Sequence, residues 1–124
     1  MSDAPEFAPI ATGYQSMLSA VIERTVGPQA AEIDRTGAYP RDSVQALGDA
    51  GFLGLLSAPQ VGGGGESLAA GAHVIEALAA RCGSTAMVVL MHYAAVAIIE
   101  AHGPTDVRLR IARGDHVSTL AFSE

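Results

Sequence analysis

Apolar positions in the first part of the chain recur at helical spacing. Tyr14, Leu18, Val21, Ile22 and Val26 fall on one face of a 3.6-residue repeat and predict an amphipathic helix. Gly27-Pro28 interrupts that pattern. Proline is tolerated at a helix start, so a second segment is expected from residue 28 to about residue 35. Residues 36–40 read as a loop. Val44 and Leu47 then mark a short helix, with Asp42 or Ser43 as its cap and Gly51 as a C′ residue.

Residues 51–67 have a different character. Six glycines and a proline surround Phe52, Leu53, Leu55, Leu56 and Val61, which reads as an ordered apolar turn followed by a flexible glycine loop. Ser67 is placed to cap a helix carrying Leu68, Ala72, Ile75, Leu78 and Ala79 on one face. Gly83-Ser84 breaks it. The next helix, about 85–101, is apolar nearly all round, the pattern of a central helix contacted on several sides. Gly103 ends it, and Val107, Leu109 and Ile111 predict a last short helix before Gly114. Its Arg108, Arg110 and Arg113 suit the negative end of a helix dipole. Residues 117–122 read as a strand, being β-branched and apolar. Nothing in the chain supplies a partner strand, so this run reads as the start of a β-domain. The expected organisation is a flexible N-terminus over 1–9, a helical domain over 10–116 and a β-strand stub over 117–124. The fold class is all-α, a helical bundle.

Composition fits a packed domain. The chain has 124 residues, 49% of them hydrophobic and 16% charged, which argues against disorder. Trp is absent and aromatics are 5%, so a core of small residues and closely packed helices is expected. Seven basic and 13 acidic side chains give a net charge of −6, with no basic run to hold nucleic acid. The single Cys82 precludes an internal disulfide and fits a reducing compartment, and residues 1–7 lack the pattern of a secretory signal. A cytoplasmic location is expected. The apolar run 86–99 is shorter than the roughly 20 residues of a bilayer span and reads as a core helix.

The candidate chemistry is sparse. The glycines at 62–65 lack the Lys-Ser/Thr of a phosphate loop and the strand of a dinucleotide fingerprint, leaving a turn between helices or a loop packed near a ligand. His73, His92, His102 and His116 show no metal-binding spacing, and no metal is expected. His92 interrupts an apolar helix and is either a hydrogen-bonded core residue or a site histidine facing a cavity. Met87, Leu90 and Met91 are either core or the lining of an apolar ligand cavity. Cys82 reads as a buried structural thiol, and Glu32 and Asp34, two apart, as solvated charges.

The order of motifs resembles the N-terminal part of the acyl-CoA dehydrogenase family. Glu32-Ile33-Asp34, Tyr39-Pro40, Leu47 before Gly51-Phe52-Leu53-Gly54, Pro59 before the glycine run, and Val74, Glu76, Leu78 and Ala79 follow one another as in that family. Leu120-Ala121-Phe122-Ser123-Glu124 resembles its strand ending in Thr-Glu, with Ser in place of Thr. The resemblance covers about residues 14–124. It implies an N-terminal helical domain followed by a middle β-domain and a C-terminal bundle, with FAD between the last two. The implied activity is α,β-dehydrogenation of acyl-CoA thioesters in fatty acid metabolism by an FAD-dependent oxidoreductase. Its catalytic glutamate lies in the C-terminal domain, so no catalytic residue falls in this chain, which alone is expected to be inactive. The resemblance places Leu120, Phe122 and Ser123 beside the flavin and Met87, Leu90, Met91 and Ala94 along the acyl cavity. It implies a homo-oligomer in the complete enzyme. The short segment after Gly103 and the presence of His92 resemble a branch of flavin-dependent monooxygenases on the same fold. The alternatives are that activity and an inactive stand-alone helical fragment.

Overall fold

The computed structural model describes the backbone of residues 8–121 and 123, and the side-chain surroundings of residues 13–121 and 123. The described residues form six α-helices: α1 (Ala8–Val21), α2 (Gly27–Thr36), α3 (Arg41–Asp49), α4 (Leu68–Ala79), α5 (Gly83–His102) and α6 (Thr105–Ala112). Of the N-terminal tail expected over 1–9, residues 1–7 lie outside the described residues, while Ala8 and Pro9 already belong to α1.

Gly27-Pro28 does not break the first helix. A single π-helical turn, Ile22–Val26, joins α1 to α2, and the Gly27 N–H reaches back to the Ile22 carbonyl. Proline lacks an N–H, and its ring presses on the carbonyl four residues back. Widening the preceding turn relieves both constraints without ending the helix. Leu18, Ile22 and Val26 stay buried on one face across the join. The helix ends where Gly37 adopts φ +71°, and its N–H closes on the Ile33 carbonyl.

Neither Asp42 nor Ser43 caps α3. Pro40 precedes the helix, Asp42 sits in its first turn, and Ser43 is fully buried. The C-terminal end follows expectation. Gly51 is at φ +92°, its N–H bonds the Gly48 carbonyl and the Phe52 N–H bonds the Leu47 carbonyl. This is the paired closure a left-handed C′ glycine permits.

The glycine loop is pinned rather than free. The N–H groups of Gly63, Gly64, Gly65 and Glu66 bond the carbonyls of Ala58, Gly54, Ser57 and Leu55 at 3.0, 2.9, 2.8 and 3.0 Å. A Cβ on Gly63 would overlap the Ser57 backbone, and one on Gly64 would lie 2.7 Å from the Leu55 oxygen. Glycine is required here because two backbones touch.

The Ser67 hydroxyl caps α4 by accepting the Ala70 N–H at 3.4 Å. The buried face of α4 keeps Leu78, as expected, but otherwise differs from the expected one. Ala70, Gly71, Val74 and Leu78 point inward, while Leu68 is 75% exposed and Ala72 and Ala79 are exposed. The core joins Leu18, Ile22, Val26, Leu47 and Phe52 to Val74 and Leu78 of α4 and to Val89 and Tyr93 of α5.

Helix α5 is 20 residues and, by length and composition alone, long and apolar enough to cross a membrane. Here it is a core helix, packed on α2, α3, α4 and α6 with Ala86, Val89, His92, Tyr93 and Val96 buried. It is not covered all round, since Met87, Leu90 and Ile98 stay exposed. Residues 117–121 form no strand. A strand is defined by a ladder, and no second strand exists among the described residues to make one.

Candidate functional site: an apolar groove and a clamped turn

Helices α4 and α5 lie side by side, and their outer faces diverge into a groove of about 450 Å³. Its walls are Leu68, Ala72 and Ile75 from α4, and Leu90, Ala94 and Ala97 from α5. Leu56, Gly71 and Tyr93 also border it, and Glu76 is the one charged residue of the lining. Gly71 sets its depth. A Cβ there would lie 3.2 Å from Leu56 Cδ1 and 3.4 Å from Tyr93 Cδ2.

The groove explains the misassigned face of α4. Leu68, Ala72 and Ile75 do form one apolar stripe, but it lines an open groove, with Ile75 alone also packed against the core. Of the four residues expected along an acyl cavity, Leu90 and Ala94 line this groove, while Met87 and Met91 do not. Met87 is 56% exposed and Met91 half-buried on the same helix. Hydropathy did not single out Gly71 or Ala97, whose contribution is small size.

One side of the groove rests on the turn after α3, and two consecutive residues of α5 hold that turn. The Tyr93 hydroxyl donates to the Phe52 carbonyl at 2.7 Å. His92 Nε2 lies 2.8 Å from the Leu53 carbonyl, and His92 Nδ1 accepts the Ser118 N–H at 3.1 Å. Because Nδ1 is the acceptor, the proton of the neutral ring sits on Nε2 and donates to Leu53. Burial raises the Tyr93 phenol far above the usual range. Burial also lowers the His92 pKa, opposed by the hydrogen bonds to Leu53 and Ser118 and assisted by the nearby His116. His92 is fully buried, so both nitrogens face backbone groups of the protein and not a cavity.

A second clamp joins the other end of the loop. Glu100 accepts the Ala58 N–H at 3.2 Å and pairs with Arg108 of α6 at 2.9 Å. Cys82 is buried and accepts the Thr85 hydroxyl at 3.3 Å, consistent with a structural thiol. Glu32 and Asp34 are exposed, Glu32 pairing with Arg35 on its own helix. Among the described residues, no three His, Cys, Asp or Glu side chains group as a metal site. Leu120 is half-buried and Ser123 exposed, and neither lines the groove. Phe122 lies outside the described residues.

Comparison with known proteins places this architecture. The family model for the acyl-CoA dehydrogenase N-terminal domain matches residues 12–113. The chain is 27% identical to a short-chain-specific acyl-CoA dehydrogenase of Clostridium acetobutylicum, over 89% of this chain and 30% of the relative. It is 31% identical to mitochondrial isobutyryl-CoA dehydrogenase of Bos taurus, over 79% of this chain and 24% of the relative. It is 34% identical to a 3-sulfinopropanoyl-CoA desulfinase of Variovorax paradoxus, over 68% of this chain and 21% of the relative. The chain thus spans less than a third of the length of these relatives. No solved structure matches it significantly. With its all-helical core and a match over residues 12–113, the chain belongs to the acyl-CoA dehydrogenase family and carries that family's N-terminal domain.

Proposed function

We propose that this region forms the helical wall of the acyl site in an FAD-dependent acyl-CoA dehydrogenase-like enzyme. The observation that carries the reading is the apolar groove between α4 and α5, open along one side and lined by Leu90, Ala94 and Ile75. A groove that needs a cover suits an alkyl chain enclosed on its far side by another part of an enzyme. The reaction is α,β-dehydrogenation of an acyl thioester. FAD, when bound, supplies the acceptor for the hydride. The residues of this chain bind and orient the alkyl portion and exclude water from it.

The fit to flavin is that of an edge. Ser123 presents an exposed hydroxyl, and Leu120 is half-buried in a segment tied down at Ser118. These residues suit one rim of an isoalloxazine site whose remaining contacts come from elsewhere. No catalytic acid or base is assigned to this chain. The exposed Met87, Leu90 and Ile98 favour assembly with further protein surface, including a homo-oligomer. The proposed location is cytoplasmic, since the chain's single Cys82 forms no internal disulfide.

The same fold in monooxygenases is the second reading, motivated by His92. Its two nitrogens are engaged by Leu53 and Ser118, which leaves no ring nitrogen to act on flavin or substrate and favours dehydrogenation. The test is anaerobic mixing of the flavoprotein containing this region with butyryl-, isobutyryl- and octanoyl-CoA. Bleaching of the flavin by any of them supports the proposal. No bleaching, together with oxygen incorporation when reduced flavin is supplied, overturns it in favour of the second reading.

A further inference from the structure

The buried imidazole of His92 stands where three separate parts of the chain meet. Its ring lies on α5, its Nε2 proton reaches the turn after α3 at Leu53, and its Nδ1 lone pair takes the Ser118 N–H of the C-terminal segment. The partners are 39 and 26 residues away in sequence. We propose that His92 is a proton-sensitive latch that holds residues 116–118 against the helical domain and releases them when the ring is protonated.

The argument is one of donors and acceptors. The neutral Nε2–H tautomer satisfies both contacts at once. The imidazolium carries a proton on each nitrogen, so Nδ1–H would confront the Ser118 N–H. One donor must then withdraw. The Leu53 carbonyl still accepts from Nε2 and belongs to a turn held independently by Tyr93 and by the Leu47–Phe52 hydrogen bond. The C-terminal segment has fewer ties: Ser118 makes this backbone bond and a side-chain bond of 2.9 Å to His116, within the same segment. The segment is therefore the part that moves.

The surroundings favour the neutral ring. His92 is fully buried, and burial opposes its charge. The titratable group acting on it from the C-terminal segment is His116, whose charge also disfavours imidazolium. On α5 the neighbour is Tyr93, its ring centroid 6.1 Å away. The turn presents the Leu53 carbonyl, and among the charged groups of the described residues His116 is the one that acts on the ring. The latch is closed at neutral pH. Below about pH 6.5 the released form takes up a proton that the closed form resists, so opening grows more favourable as pH falls.

Ser118 leads directly into Leu120 and Ser123. On the reading proposed above, the latch would set the position of the flavin edge. That consequence rests on the proposed function, whereas the latch itself does not. Its test therefore uses this chain without flavin. The imidazole ¹⁵N resonances of His92 should show Nε2 protonated and Nδ1 bare at pH 7.5. As pH falls below 6.5, Ser118 amide exchange, corrected for its intrinsic rate, should accelerate, by at most about tenfold per pH unit, with the core Val74 amide lagging. His92→Gln, neutral at every pH, should abolish the acceleration, and His116→Asn should keep it. A proton on Nδ1 at pH 7.5, Ser118 exchange that tracks Val74, or acceleration that survives His92→Gln would each overturn the proposal. If His92→Gln does not fold, the ring tautomer and the Ser118 profile of the unaltered chain decide the matter.

Discussion

Replacing Gly63 by Ala tests whether the glycine loop is a pinned element or a slack connection. The new Cβ would overlap the Ser57 carbonyl and Cβ, and backbone cannot yield as a side-chain tip can. Residues 62–65 would have to lift off residues 54–58. Three backbone bonds depend on that contact: Gly63 to Ala58 at 3.0 Å, Gly64 to Gly54 at 2.9 Å and Gly65 to Ser57 at 2.8 Å. At about 1 kcal/mol net for each bond, the loss is about 3 kcal/mol. Alanine also stiffens the unfolded chain, which returns up to ~1 kcal/mol, so a net destabilisation of about 2 kcal/mol is expected. Urea unfolding followed by far-ultraviolet circular dichroism suits a chain without Trp. The control is Gly13→Ala, where a Cβ meets nothing within 4 Å in the middle of a helix, and where stability should rise by up to ~1 kcal/mol. A Gly63→Ala chain as stable as the parent, with the same midpoint and slope, would refute the pinned loop.

Other expectations follow from the same packing. Leu78→Ala empties a site with no exposure and should cost about 2–5 kcal/mol in unfolding free energy. Tyr93→Phe leaves the buried Phe52 carbonyl without its hydroxyl donor and should cost about 1–3 kcal/mol by the same measurement. The Glu32–Arg35 pair is exposed on both sides, so Glu32→Gln should shift stability by less than about 0.5 kcal/mol. The folded pKa of His92 is depressed below 6.5, so the unfolded chain binds the extra proton first as pH falls. Its contribution is complete above pH 6.5 and declines below it by up to about 1.4 kcal/mol per pH unit, until the folded pKa is reached. A urea series from pH 7.5 to 5 should show that decline in the parent and lose it in His92→Gln.

The parts of the fold visible in the sequence are those in which a large apolar side chain marks its own burial. Leu18, Ile22 and Val26 announce the first helix and are buried as their spacing requires. The face of α4 misled because its inward positions include Ala70 and Gly71, small residues that hydropathy barely weighs, while the bulkier Leu68 and Ile75 line the groove. Pro28 looked like a boundary because the local rule is sound. The π turn before it is a rarer solution, held by packing on either side. A glycine run has the same composition whether it swings free or lies against another backbone. Only the approach of residues 54–58 distinguishes the two. His92 was visible as an oddity, but its partners are backbone atoms distant in sequence, and no side-chain pattern encodes them. The apolar groove was half legible: Leu90 and Ala94 were, whereas Gly71 and Ala97 contribute by what they lack.

The central claim is that the α4–α5 groove receives the alkyl part of an acyl thioester. Ala94→Phe, introduced into the proposed flavoenzyme, would fill the groove from a half-buried position on α5. The measurement is kcat/KM for octanoyl-CoA relative to butyryl-CoA. The account predicts that the ratio falls about tenfold or more, since several methylenes at ~0.8 kcal/mol each lose their apolar contact. An unchanged ratio, with the variant folded and its flavin bound, would contradict it.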